Sequence, residues 1–298
     1  MRIILKNYTP EPEKTCARAA YESVSPGDSS RLINEEFEGE IDLKAMLKGA
    51  LDRGHVSILE HASQTFDIER TDRSLTHQLV RHRLASYTQK SQRWVGAGQF
   101  GYVMPKSIEK DEKANTIYKG TMSDIQSAYE KLIKLGIPQE DARYVLPNAT
   151  HTNITVTMNL RELRDSLYNL RICNNAQEPI RDMASVMLIG SKITVSDLGG
   201  IVFDNIGPDC LRKDKNCMDI LNKKKDSSCI KRAAERMEKV NKIADEYAKD
   251  FIELGEGKYL KIDFSDYHKD GLFYYVDDLF IKKIAQPPLH KLEEFVKL

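Results

Sequence analysis

Gln78-Leu79-Val80-Arg81-His82-Arg83-Leu84-Ala85-Ser86-Tyr87-Thr88-Gln89-Lys90-Ser91-Gln92-Arg93 is the stretch on which the reading of this chain turns. Three arginines, a histidine and a lysine stand here among hydroxyls and amides, with no acid between them. Guanidinium forks grip phosphate bidentately, and Ser hydroxyls and loop N–H groups complete its oxygen shell, so this is a composition for anions. The bland alternative is that Arg81, His82 and Arg83 complement the negative end of the helix before them. That helix is predicted from Asp72 as N-cap, with Leu75, Leu79 and Val80 on one face. After Arg83 come roughly twenty polar, Ser-, Gln- and Gly-rich residues to Pro105, too long for a plain connection and therefore read as a functional loop.

Working upstream, Ala62, Gln64, Phe66 and Ile68 alternate with Ser63, Thr65, Asp67 and Glu69, the period of a strand with one wetter face. Leu43, Met46, Leu47, Ala50 and Leu51 recur at helical spacing and Gly54 stops them. Thr9 and Pro10 read as N-cap and first-turn proline of a helix through Cys16, Ala19 and Ala20, followed by a loop at Ser25-Pro26-Gly27-Asp28-Ser29. Downstream, Ile117, Ile125, Tyr129, Leu132 and Leu135 predict a helix closed by Gly136, and Pro138 opens a short one through Arg143 and Leu146. Residues 152–158 alternate as a strand that feeds a helix from Asn159.

On that last helix Leu160, Leu163, Leu167 and Leu170 form an apolar stripe. Arg161, Arg164, Tyr168 and Arg171 repeat the spacing one residue on, a second stripe about 100° round the helix. These guanidiniums either border a site or are solvated and paired, since Asp165 lies four residues after Arg161. Farther on, Ile230, Ala233, Met237, Val240, Ala244, Tyr247, Phe251 and Leu254 step by threes and fours to Gly255. Leu260, Ile262 and Phe264, then Asp270-Gly271, then 272–281 read as a hairpin. The chain thus divides into residues 1–228 and an added helix and hairpin at 229–298, whose role is packing or interaction, packing being the commoner use of such a stripe.

Composition narrows the function. Its 298 residues are enough for a sizeable core, and 45 basic against 45 acidic residues leave no global field to attract nucleic acid or a membrane. No apolar run approaches a membrane span and the N-terminus turns polar too soon for a signal peptide, so the cytoplasm is expected. Five scattered cysteines, odd in number, suit reduced thiols. Gly96-Ala97-Gly98-Gln99-Phe100-Gly101 has the spacing of a dinucleotide fingerprint but lacks the strand before it and the helix after it. Neither the histidines around His55, His61, His77 and His82 nor Cys210, Cys217 and Cys229 show a usual zinc spacing, so no metal is expected.

Arg81-His82-Arg83, seven residues and Ser91 together resemble the R-H-R-x7-S signature of flavin-dependent thymidylate synthases. Three further segments are similar in the same order: Gly54-His55 through Glu60-His61, Ala142-Arg143-Tyr144-Val145-Leu146-Pro147, and Asn159-Leu160-Arg161 with Arg171 and Ala176-Gln177. The likeness spans about residues 10 to 215 and does not extend to the tail beyond about Ser228. Gln89 stands where the family commonly has Glu and Gln92 where it has Gly, and one residue more than expected separates Asn159 from Arg171.

The resemblance implies an α/β (mixed α+β) fold and a homotetramer that binds FAD and dUMP at shared sites. It also implies methylenetetrahydrofolate as carbon donor and NADPH as reductant in making dTMP. By the same likeness, dUMP would meet Gln78, Arg81, Gln89, Ser91, Arg93, Arg143 and Arg171. FAD would meet Ser57, Arg81, His82, Arg83, Gln89, Asn159 and Arg161. Arg171 would be the catalytic arginine that favours ionisation of the pyrimidine, with Arg181 its nearest rival. The charge pattern agrees, because a nucleotide and a flavin pyrophosphate need cationic forks that a neutral chain must concentrate locally. The competing reading is a non-catalytic nucleotide- or RNA-binding protein using the same arginines. Only Tyr87 and Trp94 interleave with them, fewer aromatics than single-strand binders use.

Overall fold

The computed structural model describes residues 1–25, 41–98, 100–211, 217, 227–252, 259–263 and 273–276. Along the chain run β1 (Arg2–Tyr8), α1 (Pro12–Val24), α2 (Leu43–Asp52), a tight helical turn at Val56–His61, β2 (Ser63–Asp72), α3 (Arg73–Leu79) and β3 (Ala85–Gln89). Then come α4 (Glu112–Lys134), β4 (His151–Asn159), α5 (160–171), α6 (Glu178–Thr194), α7 (Ser227–Ile252), β5 (Tyr259–Asp263) and β6 (Phe273–Val276). The strands form one sheet in the order β3-β4-β2-β1-β5-β6, so the fold is mixed α+β. Two compact units divide the chain: residues 1–2 with 67–156, and residues 3–66 with 157–298.

Several elements lie where local chemistry puts them. Asp42, Asp72 and Asp111 cap α2, α3 and α4 by accepting the N–H groups of Ala45, Leu75 and Ala114 at 2.9, 2.8 and 2.9 Å. Gly54 and Gly136, at φ 79° and 82°, end α2 and α4 in the left-handed conformation. In β2 the alternation buries Gln64, Phe66 and Ile68, and in β4 it buries Thr152, Ile154, Val156 and Met158.

Other expectations need correction. The first helix begins two residues later than expected, at Pro12 with Glu11 as its N-cap residue. Thr9 instead serves the sheet, its hydroxyl accepting the N–H of Ser63 at 2.9 Å. The segment after Arg83 is not all loop, because residues 85–89 form β3, a half-polar strand at the edge of the sheet. In the glycine-rich segment Ala97 and Phe100 donate their N–H groups to Tyr129 and Gln126 of α4, at 3.1 Å each. Ile117 and Leu135, expected on the buried side of α4, are exposed, and Met122 and Tyr129 carry its buried face. The loop expected at 25–29 lies outside the described residues after Ser25, as do Leu254, Gly255, the 270–271 turn and residues 277–281. β5 and β6 do pair antiparallel, Leu260 opposite Tyr275.

The most informative departure is inside α5, where residues Leu163–Tyr168 wind as a π-helix between two α-helical turns. A π turn takes up one residue more than an α turn, so every side chain beyond it is rotated by about one position. Tyr168 therefore falls to 0% exposure beside Leu163, while Leu170, expected on the core stripe, is 56% exposed. Arg171, three residues after Tyr168, shares its face of the last turn and leaves the face of Arg161 and Arg164. The expected pairing of Arg161 with Asp165 is also absent. Arg161 pairs with Glu60, and Asp165 takes Arg164 at 3.0 Å.

In the second unit α6 is apolar nearly all round and is buried continuously from Asp182 to Ser191. α7 packs along it with Ala233, Met237, Val240 and Ala244 buried, so the stripe of the tail helix faces a core. A chain of side chains runs through this core. Tyr168 donates to Ser191 at 2.5 Å, Ser191 to Gln64 at 2.5 Å, Gln64 to Thr194 at 2.8 Å and Thr194 to the Gly190 carbonyl at 3.0 Å. Each member is satisfied, as buried polar groups must be.

Candidate active site

In the first unit the arginine-rich stretch that the sequence points to is built around α3. Beyond Leu79 the chain turns tightly, His82 donating its N–H to the Leu79 carbonyl at 3.1 Å. From β3 the hydroxyl of Tyr87 reaches back to the carbonyls of Leu79 and His82, at 2.8 and 2.7 Å, and fixes that turn. His82 is buried inside it, whereas Arg81 and Arg83 are exposed on either side. Gln78 is half-buried on the last turn of α3. Gln89, also half-buried, donates its amide to Thr76 and Thr152 at 2.9 and 3.3 Å, which ties β3 to α3 and β4.

Ser91 then organises the next turn, its hydroxyl accepting the N–H groups of Arg93 and Trp94 at 3.1 and 3.3 Å. Arg93 lies 5.3 Å from the centre of the Trp94 ring and pairs with Glu140. Arg143 donates its Nε to the Glu140 carbonyl at 3.1 Å. Glu140 therefore connects two of the arginines that the sequence points to.

A third guanidinium joins them unannounced. Arg73, first residue of α3, donates Nη2 to the Lys90 carbonyl at 3.0 Å, while its Nε is buried with no hydrogen-bond partner. Burial, and after it the charge of Arg143, holds its pKa below the usual guanidinium range. The sequence does carry a signal for Arg73: a cation at a helix N-terminus opposes the helix dipole, and so asks for an anion beside it. A groove of about 310 Å³ nearby runs over β2, β3 and β4 past Asp67, Glu69, Thr88, Lys90, Asn153 and Thr155. Its two carboxylates suit it poorly to anions, and among the expected residues only Gln89 borders it.

The second unit holds the remaining candidates. Ser57 is exposed on the Val56–His61 turn, which packs against the start of α5. Asn159 caps α5 by accepting the Glu162 N–H at 2.8 Å, and Leu160 donates to the Ala62 carbonyl at 2.9 Å. With the Arg161–Glu60 pair, these bonds draw Ser57, Asn159 and Arg161 toward one corner of the unit. Arg171 is half-buried on the last turn of α5. Its rival Arg181 donates Nη1 to the carbonyls of Asn174 and Ala176 at 3.4 and 3.1 Å, while its Nε, like that of Arg73, is buried with no hydrogen-bond partner.

Fold and side chains together describe a mixed α+β protein with two arginine-rich clusters, one in each unit. The sequence model of a family described as thymidylate synthase complementing protein matches residues 4–191. A flavin-dependent thymidylate synthase of Pyrococcus abyssi is 42% identical over 218 residues, covering 71% of this chain and 87% of its own length. One from Geobacter sulfurreducens is 43% identical over 217 residues, covering 71% and 89%. The chain belongs to the flavin-dependent thymidylate synthase family. Two solved structures share its fold. The UMP/dUMP methylase PolB of Streptomyces cacaoi, bound with 5-Br dUMP, has TM-score 0.57 and 21% identity over 69% of this chain and 96% of its own. ThyX of Helicobacter pylori, complexed with FAD and dUMP, has TM-score 0.51 and 22% identity over 70% of this chain and 100% of its own. Among the described residues no helix is long and apolar enough to cross a membrane.

Proposed function

We propose that this chain makes dTMP from dUMP by reductive methylation, with FAD as redox cofactor, methylenetetrahydrofolate as carbon donor and NADPH as reductant. One observation carries the proposal: Arg93 and Arg143 both meet Glu140, Arg73 feels the charge of Arg143, and the buried Arg73 Nε lacks an acceptor. A nucleotide phosphate supplies that acceptor and offsets the mutual repulsion of the guanidiniums. In this reading Gln78, Arg81, Gln89 and Ser91 line the rest of the dUMP site. The exposed forks of Arg81 and Arg83 suit the pyrophosphate of FAD, with His82 bracing their turn from inside and Gln89, Ser57, Asn159 and Arg161 adding polar contacts.

When bound, FAD supplies the hydride chemistry. The side chains bind, orient and stabilise charge. In this reading Arg171, half-buried at a helix end, stabilises the negative charge that develops on the uracil ring as its carbon becomes nucleophilic. Subunits of a homotetramer would share these sites. The exposed Leu84, Trp94, Ile117, Leu135 and Tyr144 support such an assembly, since exposed apolar groups of this size favour burial against a partner. The five cysteines stand as thiols, which suits the cytoplasm. Residues 1–228 form the catalytic part in this reading, and 229–298 are a packed extension.

The test is tritium release from dUMP labelled at the methyl-accepting carbon, with FAD, NADPH and methylenetetrahydrofolate omitted in turn. Release that needs every component supports the proposal. A folded chain that retains no flavin, releases no tritium and binds nucleotides in a salt-sensitive way would be a binding protein instead.

A further inference from the structure

Arg171 is the last residue of α5, and the backbone on either side of it is anchored. Tyr168, three residues before, is bonded into the core through Ser191. Ile172, the C-cap residue that follows Arg171, is fully buried. A helix C-terminus leaves carbonyls without partners inside the helix and carries the negative end of its dipole, so a cation placed there is favourable. α7 supplies that cation. Arg236, half-buried, donates Nη1 to the Ile172 carbonyl at 3.3 Å and to Asn174 Oδ1 at 2.7 Å. Asn174 answers by donating Nδ2 to the carbonyl of Cys229, in the first turn of α7, at 2.8 Å. The chain just beyond Arg171 is therefore tied to α7 at two levels, about two helical turns apart. α7 is itself fixed against α6, with Ala233, Met237 and Val240 buried on either side of Arg236. Arg232, one turn earlier on the same helix, shows the contrast: it is exposed and donates to Ser228 of its own helix at 2.9 Å.

We propose, on the reading of Arg171 given above, that Arg236 is a positioning residue for the reaction: it caps the end of α5 and so fixes the backbone from which the Arg171 side chain extends. Electrostatic stabilisation of a developing charge depends on a donor already held in place. Arginine is long, so a small shift of the helix end is carried out to its guanidinium, and a misplacement of about 1 Å is enough to slow a reaction by orders of magnitude. Arg236 suits the task better than lysine would, because a planar, weakly hydrated guanidinium is at home half-buried and meets two oxygens at once. The tail helix then has a part in the chemistry as well as in packing. Arg236 lies beyond the segments that resemble the family, and it takes its meaning only from the fold, sixty-odd residues after the turn it holds.

The test compares full-length wild type, Arg236→Ala, Arg232→Ala, Arg171→Ala and the Arg171→Ala/Arg236→Ala double variant, each with FAD, by steady-state kinetics and amide hydrogen exchange. Arg236→Ala is expected to lower kcat about 10-fold or more while flavin content and the KM for dUMP are kept. Exchange is expected to quicken at the amides of Ile172 and Ala176, which donate to the carbonyls of Tyr168 and Cys173 at 3.1 and 3.0 Å. In the Arg171→Ala background the same change is expected to lower kcat no further, because the group it positions is gone. Arg232→Ala is expected to behave as wild type. A wild-type kcat in Arg236→Ala, unchanged exchange at both amides, or an equal loss of kcat with and without Arg171 overturns the proposal. Wild-type turnover in Arg171→Ala overturns the role of Arg171 and this proposal with it, whereas an impaired Arg171→Ala beside an unimpaired Arg236→Ala overturns this proposal alone. If Arg236→Ala does not fold, Arg236→Lys, which keeps a cation at the helix end without the planar fork, decides by the same comparisons.

Discussion

Glu13 and Asp197 each serve the backbone of the other's segment. The Glu13 carboxylate accepts the N–H groups of Leu198, Gly200 and Val202 at 2.7, 3.0 and 3.1 Å. Asp197 accepts those of Glu13 and Lys14 at 3.0 and 2.8 Å, at the start of α1. Glu13→Ala strands three donors, at a cost of roughly 1–3 kcal/mol or more, read as a lower urea midpoint. Burial outweighs these bonds and holds the Glu13 carboxyl above its ordinary 4.5. Its titration therefore favours the fold most below that value, and the benefit is lost as pH rises through the raised pKa. The stability deficit of Glu13→Gln is expected to be largest in acid and to narrow toward neutrality.

Arg73 is a desolvated cation that feels a second cation, Arg143, so it weakens the fold, and under the proposed function it holds the dUMP phosphate. Arg73→Met is expected to raise the thermal midpoint of the ligand-free protein and to weaken dUMP binding about 10- to 100-fold, the worth of a charge-assisted hydrogen bond. Calorimetry on the same samples reads both. A midpoint that falls while affinity holds would sink the assignment.

Arg171 and Arg181 are expected to separate cleanly. Arg171→Ala lowers kcat by 10²-fold or more if its guanidinium stabilises charge only in the transition state, a loss of about 2.7 kcal/mol. Arg181→Ala removes two bonds to backbone carbonyls and lowers stability, with kcat largely kept. Steady-state kinetics alongside urea unfolding distinguish the two, and the reverse pattern would exchange their roles.

Tyr168→Phe deletes the first donor of the buried chain through Ser191, Gln64 and Thr194. A loss of roughly 1–3 kcal/mol is expected. Ser191→Ala breaks the same chain one member later, so the double variant is expected to lose less than the sum of the two single losses. Chemical denaturation of the four proteins closes the cycle.

What could be read from sequence was what is decided locally. Asp72 and the glycines after α2 and α4 announce helix ends through their own backbone chemistry, and β2 and β4 announce themselves by period. α6 has no such mark, since a helix buried on every side has no polar face to set a period. β3 is short, half-polar and at an edge, and resembles loop. Arg81, Ser91 and Arg93 were visible because they cluster in sequence. Arg73 gains its meaning only from Arg143, seventy residues away, and Tyr168 from a π turn that composition does not disclose.

That turn lets one helix answer to two masters. Arg161 at its start pairs with Glu60 and Arg171 at its end rides with Tyr168, and the slack wound into residues 163–168 uncouples their angles. A residue gained or lost there re-aims one end without disturbing the other, so the two halves of α5 can be tuned by selection as if they were separate helices.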